Sequence, residues 1–300
     1  MSNELALRAQ VSSWLDAAKP AMLVRVAHIQ GSTPREVGAR MCVGLDEVMG
    51  TIGGGHLEWQ AISQARQALL EHAAQGGASS LGAWTQCCAL GPTLGQCCGG
   101  VVDLAFEPLS AQALMAWPLP EPHFKLDLHG AGHVGQAIVN LLQGLDAEVR
   151  WIDQRLDATD LPPGDRAMVG LPTPQALAQL PPHIHFISTD DAAHEATHAP
   201  ANSFHLVLTH RHDLDLAIVD ALLRRPDVIE GRAWVGLIGS KTKRASFEHR
   251  LLARGHAPEV VARMCCPIGT AGISGKEPAV IAIAVLAQLL QLTPTSLTPT

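Results

Sequence analysis

Charge is scarce in this sequence. Of 300 residues, 16% are Asp, Glu, Lys or Arg, and 21 basic side chains against 28 acidic ones give a formal charge of −7. There is no block of basic residues, so the cationic face that nucleic acid and anionic membrane surfaces require is lacking. Long apolar runs are missing as well. The stretch 279–292 is interrupted by Gln288 and Gln291 and falls short of the roughly 18 residues that a bilayer span needs. At the start, Met1-Ser2-Asn3-Glu4-Leu5 has no basic segment leading into an apolar one. It does not read as a secretory leader, and the cytoplasm is the expected compartment. A disulfide framework is not expected either. The seven cysteines are Cys42 and the adjacent pairs Cys87-Cys88, Cys97-Cys98 and Cys265-Cys266. The count is odd, and neighbouring thiols rarely reach disulfide geometry without strain. No internal repeat is visible.

Apolar material, by contrast, is plentiful. Hydrophobic residues make up 47% of the chain, enough for a packed core, and the length suits two domains of ordinary size. Leu7, Val11, Trp14, Leu15 and Ala18 fall at helical spacing until Pro20 ends the pattern. Strands are expected at 21–29, 40–45, 48–52, 84–90 and 101–106, with a helix over 57–71. Short turns between strands predict an α+β domain with a largely antiparallel sheet over residues 1–115. The proline-rich stretch 116–123 reads as a linker. Beyond it, strands at 124–129, 148–153, 184–188, 204–209 and 234–238 alternate with helices at 134–145, 214–223, 241–253 and 278–292. That alternation predicts a Rossmann-like, doubly wound parallel sheet over 124–292, making the chain α/β overall. Residues 293–300, rich in Pro, Thr and Ser, are expected to be a flexible tail.

Several segments carry chemistry. Gly130, Gly132 and Gly135 form a G-x-G-x-x-G turn between an expected strand and helix. Asp153 ends the next strand, at about the 20-residue distance of a ribose-binding carboxylate. This is the context of a dinucleotide- or phosphate-binding turn, and a turn that serves packing is the plainer alternative. His210 and His212, in Thr209-His-Arg-His-Asp213, follow a strand at the ligand-binding edge and are acid/base candidates; Asp213 is equally suited to cap the next helix. Gly239, Ser240 and Lys241 open another helix, whose first turn holds three cations. Cations there oppose the helix dipole, which points to an anionic ligand or to a merely solvated face. Gly53, Gly54 and Gly55 expose successive backbone N–H groups before a helix, a nest suited to an anion. Finally, Cys97, Cys98, Gly99 and Gly100 close a Gly/Pro-rich loop. A thiol there offers a soft metal ligand, Cys98 above all. Zinc held by Cys87, Cys88, Cys97 and Cys98 would have unusual spacing.

Taken in order, these segments resemble the xanthine dehydrogenase accessory proteins, the XdhC/CoxI family. The matching stretches are Gly31-Ser-Thr-Pro-Arg35, the 50–58 segment around Gly53–Gly55, Gly95-Gln-Cys-Cys-Gly-Gly100, the 130–135 fingerprint, 209–213, 235–240, Cys266-Pro-Ile-Gly269 and Gly275-Lys-Glu-Pro278. The resemblance implies a carrier without turnover of its own. Its cargo would be the molybdenum cofactor, a phosphate-bearing pterin dithiolene, protected while a cysteine desulfurase supplies the sulfido ligand. Delivery would be to apo xanthine dehydrogenase, in concert with cofactor-biosynthesis proteins. The cofactor-binding set it implies is Gly53–Gly55, Cys97–Gly100, Gly130, Gly132, Gly135, Asp153, His210, His212 and Gly239–Lys241, with Cys98 aligned to the family's cysteine at the metal. A homodimer and a bound nucleotide stay open. The alternative is an NAD(P)-dependent oxidoreductase that uses the 130–135 fingerprint.

Overall fold

The architecture comes from a computed structural model, which describes residues 4–75, 81–90, 99–118, 121–155 and 170–292. The chain folds as two units, 1–120 and 121–300.

In the first unit, β1 (Ala21–Gln30), β2 (Arg40–Gly44), β3 (Val48–Gly50), β4 (Trp84–Ala89) and β5 (Val101–Pro108) form one sheet in the order β3-β2-β1-β5-β4. Every pairing in it is antiparallel. Period-two alternation along β1 explains how the sheet is covered on both faces. Met22, Val24 and Val26 point to the cluster that α2 (Gly55–Ala74) closes with Leu57, Ala61, Ala65 and Leu69. Those four stand at four-residue intervals, one stripe of a helix. Ala21 and Leu23 point the other way, to Leu7, Val11 and Trp14 of α1 (Glu4–Asp16) and to Ala113 of α3 (Ala111–Met115).

The second unit holds β6 (Lys125–His129), β7 (Glu148–Asp153), β8 (Ile184–Ser188), β9 (Phe204–Val207), β10 (Trp234–Leu237) and β11 (Met264–Cys265). Their order is β8-β7-β6-β9-β10-β11, and all pairings are parallel. Counted from β6, that is the 3-2-1-4-5-6 order of dinucleotide-binding folds, with the reversal between β6 and β9. One face is packed by α4 (His133–Leu142) and α11 (Pro278–Gln291) through Ile138, Leu142, Val285 and Leu289. The opposite face meets α6 (Ala192–Thr197), α7 (His212–Leu222) and α9 (Lys241–Ala253) through Ala196, Leu216, Leu222 and Phe247. Short helices that the periodicity does not predict are α3, α5 (Pro174–Ala178), α6, α8 (Pro226–Ile229) and α10 (Pro258–Val261). Three of these carry proline in their first turn, where its missing N–H has no intrahelical acceptor to lose. Among the described residues, no helix is long and apolar enough to cross a membrane.

Candidate functional site

The carboxyl ends of β6 and β9, where the strand order reverses, flank a small crevice. His129, Gly130, Asp153, Gln154, Thr209 and His210 are among the residues that line it, and its cavity is about 10 Å³, roughly the room of one water. Two glycines here are demanded by packing. Gly130 has φ +126°, and a Cβ on it would press into the Leu208 backbone; a Cβ on Gly135 would overlap the Gly130 carbonyl. Gly132 is different. It is the N-cap of α4 at φ −73°, and a Cβ there would meet nothing within 4 Å. The fold has no use for a glycine at that position, so its bareness leaves room at a helix N-terminus, where backbone N–H groups attract anions.

Asp153 was expected to hold a ribose hydroxyl. Its carboxylate instead accepts the Ala131 N–H at 2.6 Å and the Arg155 N–H at 2.8 Å, and it forms a two-pronged pair with the Arg155 guanidinium at 3.0 and 2.7 Å. Burial pushes this carboxyl up, but the Arg155 side chain and the two amides outweigh it and hold it below the usual range. Asp153 thus staples the glycine turn to the end of β7. Arg155, which sequence reasoning passed over, is legible as a cation two residues after the acidic strand end.

His210 lines the crevice, and partial burial followed by the Arg155 charge lowers its pKa. His212 does not join it; it is the exposed first residue of α7. Nor is Asp213 the cap of that helix. Arg211 occupies the N-cap and pairs with Asp213. The buried Asp215 braces this turn by accepting the Thr209 N–H at 3.0 Å and its hydroxyl at 2.7 Å.

At the β10–α9 junction, Gly239, Ser240 and Lys241 stand at the same sheet edge but outside the crevice lining. Ser240 caps α9 by accepting the Lys243 N–H at 3.2 Å. The cations of this turn are largely answered from within. Lys243 donates to Asp215 at 2.6 Å and to the Ile238 carbonyl at 2.9 Å, and Arg244 pairs with Glu248 at 2.7 Å. The charges that hinted at a ligand are mostly structural partners.

In the first unit, Gly53, Gly54 and Gly55 have φ of +124°, +75° and +65°. The nest expected to receive an outside anion already holds a carboxylate: Glu58 Oε2 accepts from the Thr51 hydroxyl, from Ile52 N–H at 2.9 Å and from Gly54 N–H at 3.1 Å. Cys97 and Cys98 lie outside the described residues. Gly99, next to them, is exposed, and a Cβ on it would meet nothing within 4 Å. Gly100 is buried, and a Cβ there would strike the Ser32 and Gln30 carbonyls. On β4, Cys87 is exposed and Cys88 buried. The hydrogen bond to Asp103 raises the Cys87 thiol and burial raises Cys88, so neither is poised as a thiolate.

Three more polar groups went unread in the sequence. Asp127 and His129 on β6 and His205 on β9 are buried on one face of the parallel sheet. Strands covered on both faces are normally near-continuous runs of apolar residues. Asp and His at alternate positions of β6 were the available sign. Burial pushes the Asp127 carboxyl up to about 7, and it drives the His129 imidazole down to about 3 and His205 well below its usual value.

A parallel sheet in dinucleotide-fold order, with a stapled glycine turn at its reversal point, defines the second unit as a Rossmann-type module joined to an antiparallel α+β unit. Known proteins sharpen that class. A model described as the XdhC Rossmann domain matches residues 126–289, and one described as the XdhC and CoxI family matches residues 14–76. The chain belongs to this family. It is 30% identical over 281 residues to an Escherichia coli (strain K12) protein, YqeB, described as uncharacterized, with 91% of this chain and 43% of the relative covered. The chain therefore spans less than half the length of that relative. A solved structure described as a xanthine dehydrogenase from Bacillus halodurans matches with a TM-score of 0.67 at 19% identity, covering 97% of this chain and 96% of the other. At that identity the likeness speaks for the fold.

Proposed function

We propose that this protein is a non-catalytic accessory factor of a xanthine dehydrogenase, one that carries the molybdenum cofactor and hands it to the apo enzyme. Family membership supports the accessory role. The observation that carries ligand binding is Gly132, a bare N-cap facing open space in a turn whose other glycines are fixed by packing. A phosphate-bearing group fits there, as the anion that a helix N-terminus attracts. The Asp153–Arg155 pair beside it keeps the turn in shape. In the first unit, the Cys97–Gly100 segment is proposed separately as a soft-metal contact, because a thiol suits a soft metal. Apo xanthine dehydrogenase and a cysteine desulfurase are the proposed partners, in the cytoplasm.

Hydride transfer is the weaker reading. Asp153, its ribose-binding residue, is spent on Ala131 and Arg155, and of the two candidate histidines His210 alone lines the crevice. The deciding experiment is to purify the full chain from cells that make the cofactor and to measure molybdenum, released pterin and released nucleotide. Molybdenum and pterin in equal amounts, approaching one per chain, are expected. Bound NAD(P) with neither of them, together with turnover at roughly 1 s⁻¹ or more on a hydroxy or aldehyde substrate, would overturn the proposal.

A further inference from the structure

The two central strands of the Rossmann-type unit bury a set of polar groups that the crevice chemistry does not use. Asp127 and His129 are two apart on β6 and so share a face; His205 on β9 is the register partner of Asp127. Their exposures are 1%, 0% and 0%. One ligand atom from each lies within 4.8 Å of the others. The two imidazoles are stacked at 6.4 Å between centroids. None of their four ring nitrogens has a hydrogen-bond partner among the described residues.

That is an expensive arrangement for a core. Each orphaned buried polar atom costs roughly 1–3 kcal/mol, and an apolar side chain would avoid it. The charged groups nearby do not relieve the imidazoles. Arg150, across from Asp127 on β7, binds that carboxylate at 2.8 Å and also binds Glu195 of α6. Arg225 is held by Asp227 and by the Ala196 and Thr197 carbonyls. Both cations are thus neutralised by their own partners, and the histidines are left as neutral imidazoles with free lone pairs beside a carboxylate. Two imidazoles and one carboxylate are a donor set for a first-row divalent ion, zinc being the representative case.

We infer that Asp127, His129 and His205 form a buried metal site for a zinc-class divalent cation, tying β6 to β9 beneath the crevice. Ligands around a tetrahedral ion stand roughly 3.3 Å apart, given bonds of about 2.0–2.1 Å. The present spacing therefore asks for a closure of about 1.5 Å at most, within reach of side-chain rotation. His129 is also among the residues that line the crevice cavity. The site is independent of the carrier reading: it lies in the core, whereas the proposed cargo site is the exposed N-terminus of α4.

The test uses the full chain, stripped with a chelator and then titrated with zinc sulfate. Wild type should take up one tight equivalent and gain several degrees in Tm. X-ray absorption of that species should show a nitrogen and oxygen shell without sulfur. The His129→Leu/His205→Leu double variant should lose the equivalent and the Tm gain, while being at least as stable as metal-free wild type because the orphaned nitrogens are gone. Asp127→Asn offers a milder second variant, with affinity lowered at least tenfold. A sulfur-dominated shell would place the metal on the cysteines and overturn the assignment. So would zinc uptake and Tm gain that are unchanged in these variants, or wild type that binds no zinc at micromolar concentration.

Discussion

The chain contains two glycine-rich turns that look alike in sequence and are built differently. Each leads from a strand into a helix, and each is braced by a carboxylate, which accepts Gly54 N–H in the first turn and Ala131 N–H in the second. In the first unit the carboxylate is Glu58, four residues on from Gly54 and already in α2. In the second it is Asp153, brought in by the neighbouring strand. The glycines differ as well. Gly53, Gly54 and Gly55 all need positive φ, so their backbone shape alone accounts for them. Gly132 sits at an ordinary φ with open space where a side chain would go. A nest that closes on its own carboxylate is a structural turn. A turn with one unexplained glycine is where a ligand has room.

The largest effect that would test this contrast is at Gly135. A methyl there overlaps the Gly130 carbonyl, both being backbone of the same tight turn. Gly135→Ala should cost about 3 kcal/mol or more, read as a Tm drop of roughly 6–12 °C. Next comes Glu58→Ala, which strips the first turn of its acceptor for Thr51, Ile52 and Gly54. A loss of roughly 2 kcal/mol is expected from bonds to a charged group. If this nest were an outside-anion site, sulfate would restore the lost stability; no sulfate rescue is expected, and thermal melts in sulfate and chloride at matched ionic strength decide it.

Asp153→Asn should cost somewhat less, and its signature is the pH profile. The folded pKa of Asp153 lies below its unfolded value. Its contribution is therefore fully present above about pH 4 and is lost as pH falls through the folded value. Urea midpoints of wild type should fall over that acid window, and the variant should show a shallower slope there. Parallel slopes would mean that Asp153 is not stapling the turn.

Much of the fold was legible because its signals are local. Apolar segments set off by turn residues located all five strands of the antiparallel sheet to within about two residues at either end, and alternating strands and helices announced the parallel one. The short helices were not, because four to six residues hold too little periodicity; proline at the first turn of three of them was the usable sign. The site was legible as positions and illegible as partnerships. G-x-G-x-x-G and the strand-end acid were where they should be, yet nothing in the one-dimensional order said that Asp153 would turn toward Ala131 and Arg155, or that Lys243 would fold back onto Asp215. Those outcomes depend on which backbone groups the packed sheet leaves in need of an acceptor.

Smaller effects separate the turns more finely. Gly54 has space around it but φ +75° and ψ −169°, a backbone region essentially restricted to glycine, so Gly54→Ala should cost about 1 kcal/mol or more from backbone strain alone. Gly132→Ser should do the reverse. At the N-cap, with φ −73° and ψ −174°, serine adopts the backbone without strain, and its hydroxyl accepts from an amide of the first turn of α4. Stability should hold or rise by a few tenths of a kcal/mol, which keeps folding out of the interpretation. The same hydroxymethyl group fills the room where an anion would sit. Wild type and variant purified in parallel from cofactor-making cells should therefore have the same Tm to within about 1 °C, while the variant retains much less molybdenum and pterin and reconstitutes less xanthine dehydrogenase activity. Equal cofactor content in a fully folded Gly132→Ser protein would show that the bare N-cap serves no ligand and would move the search for the cargo site to the Cys97–Gly100 segment.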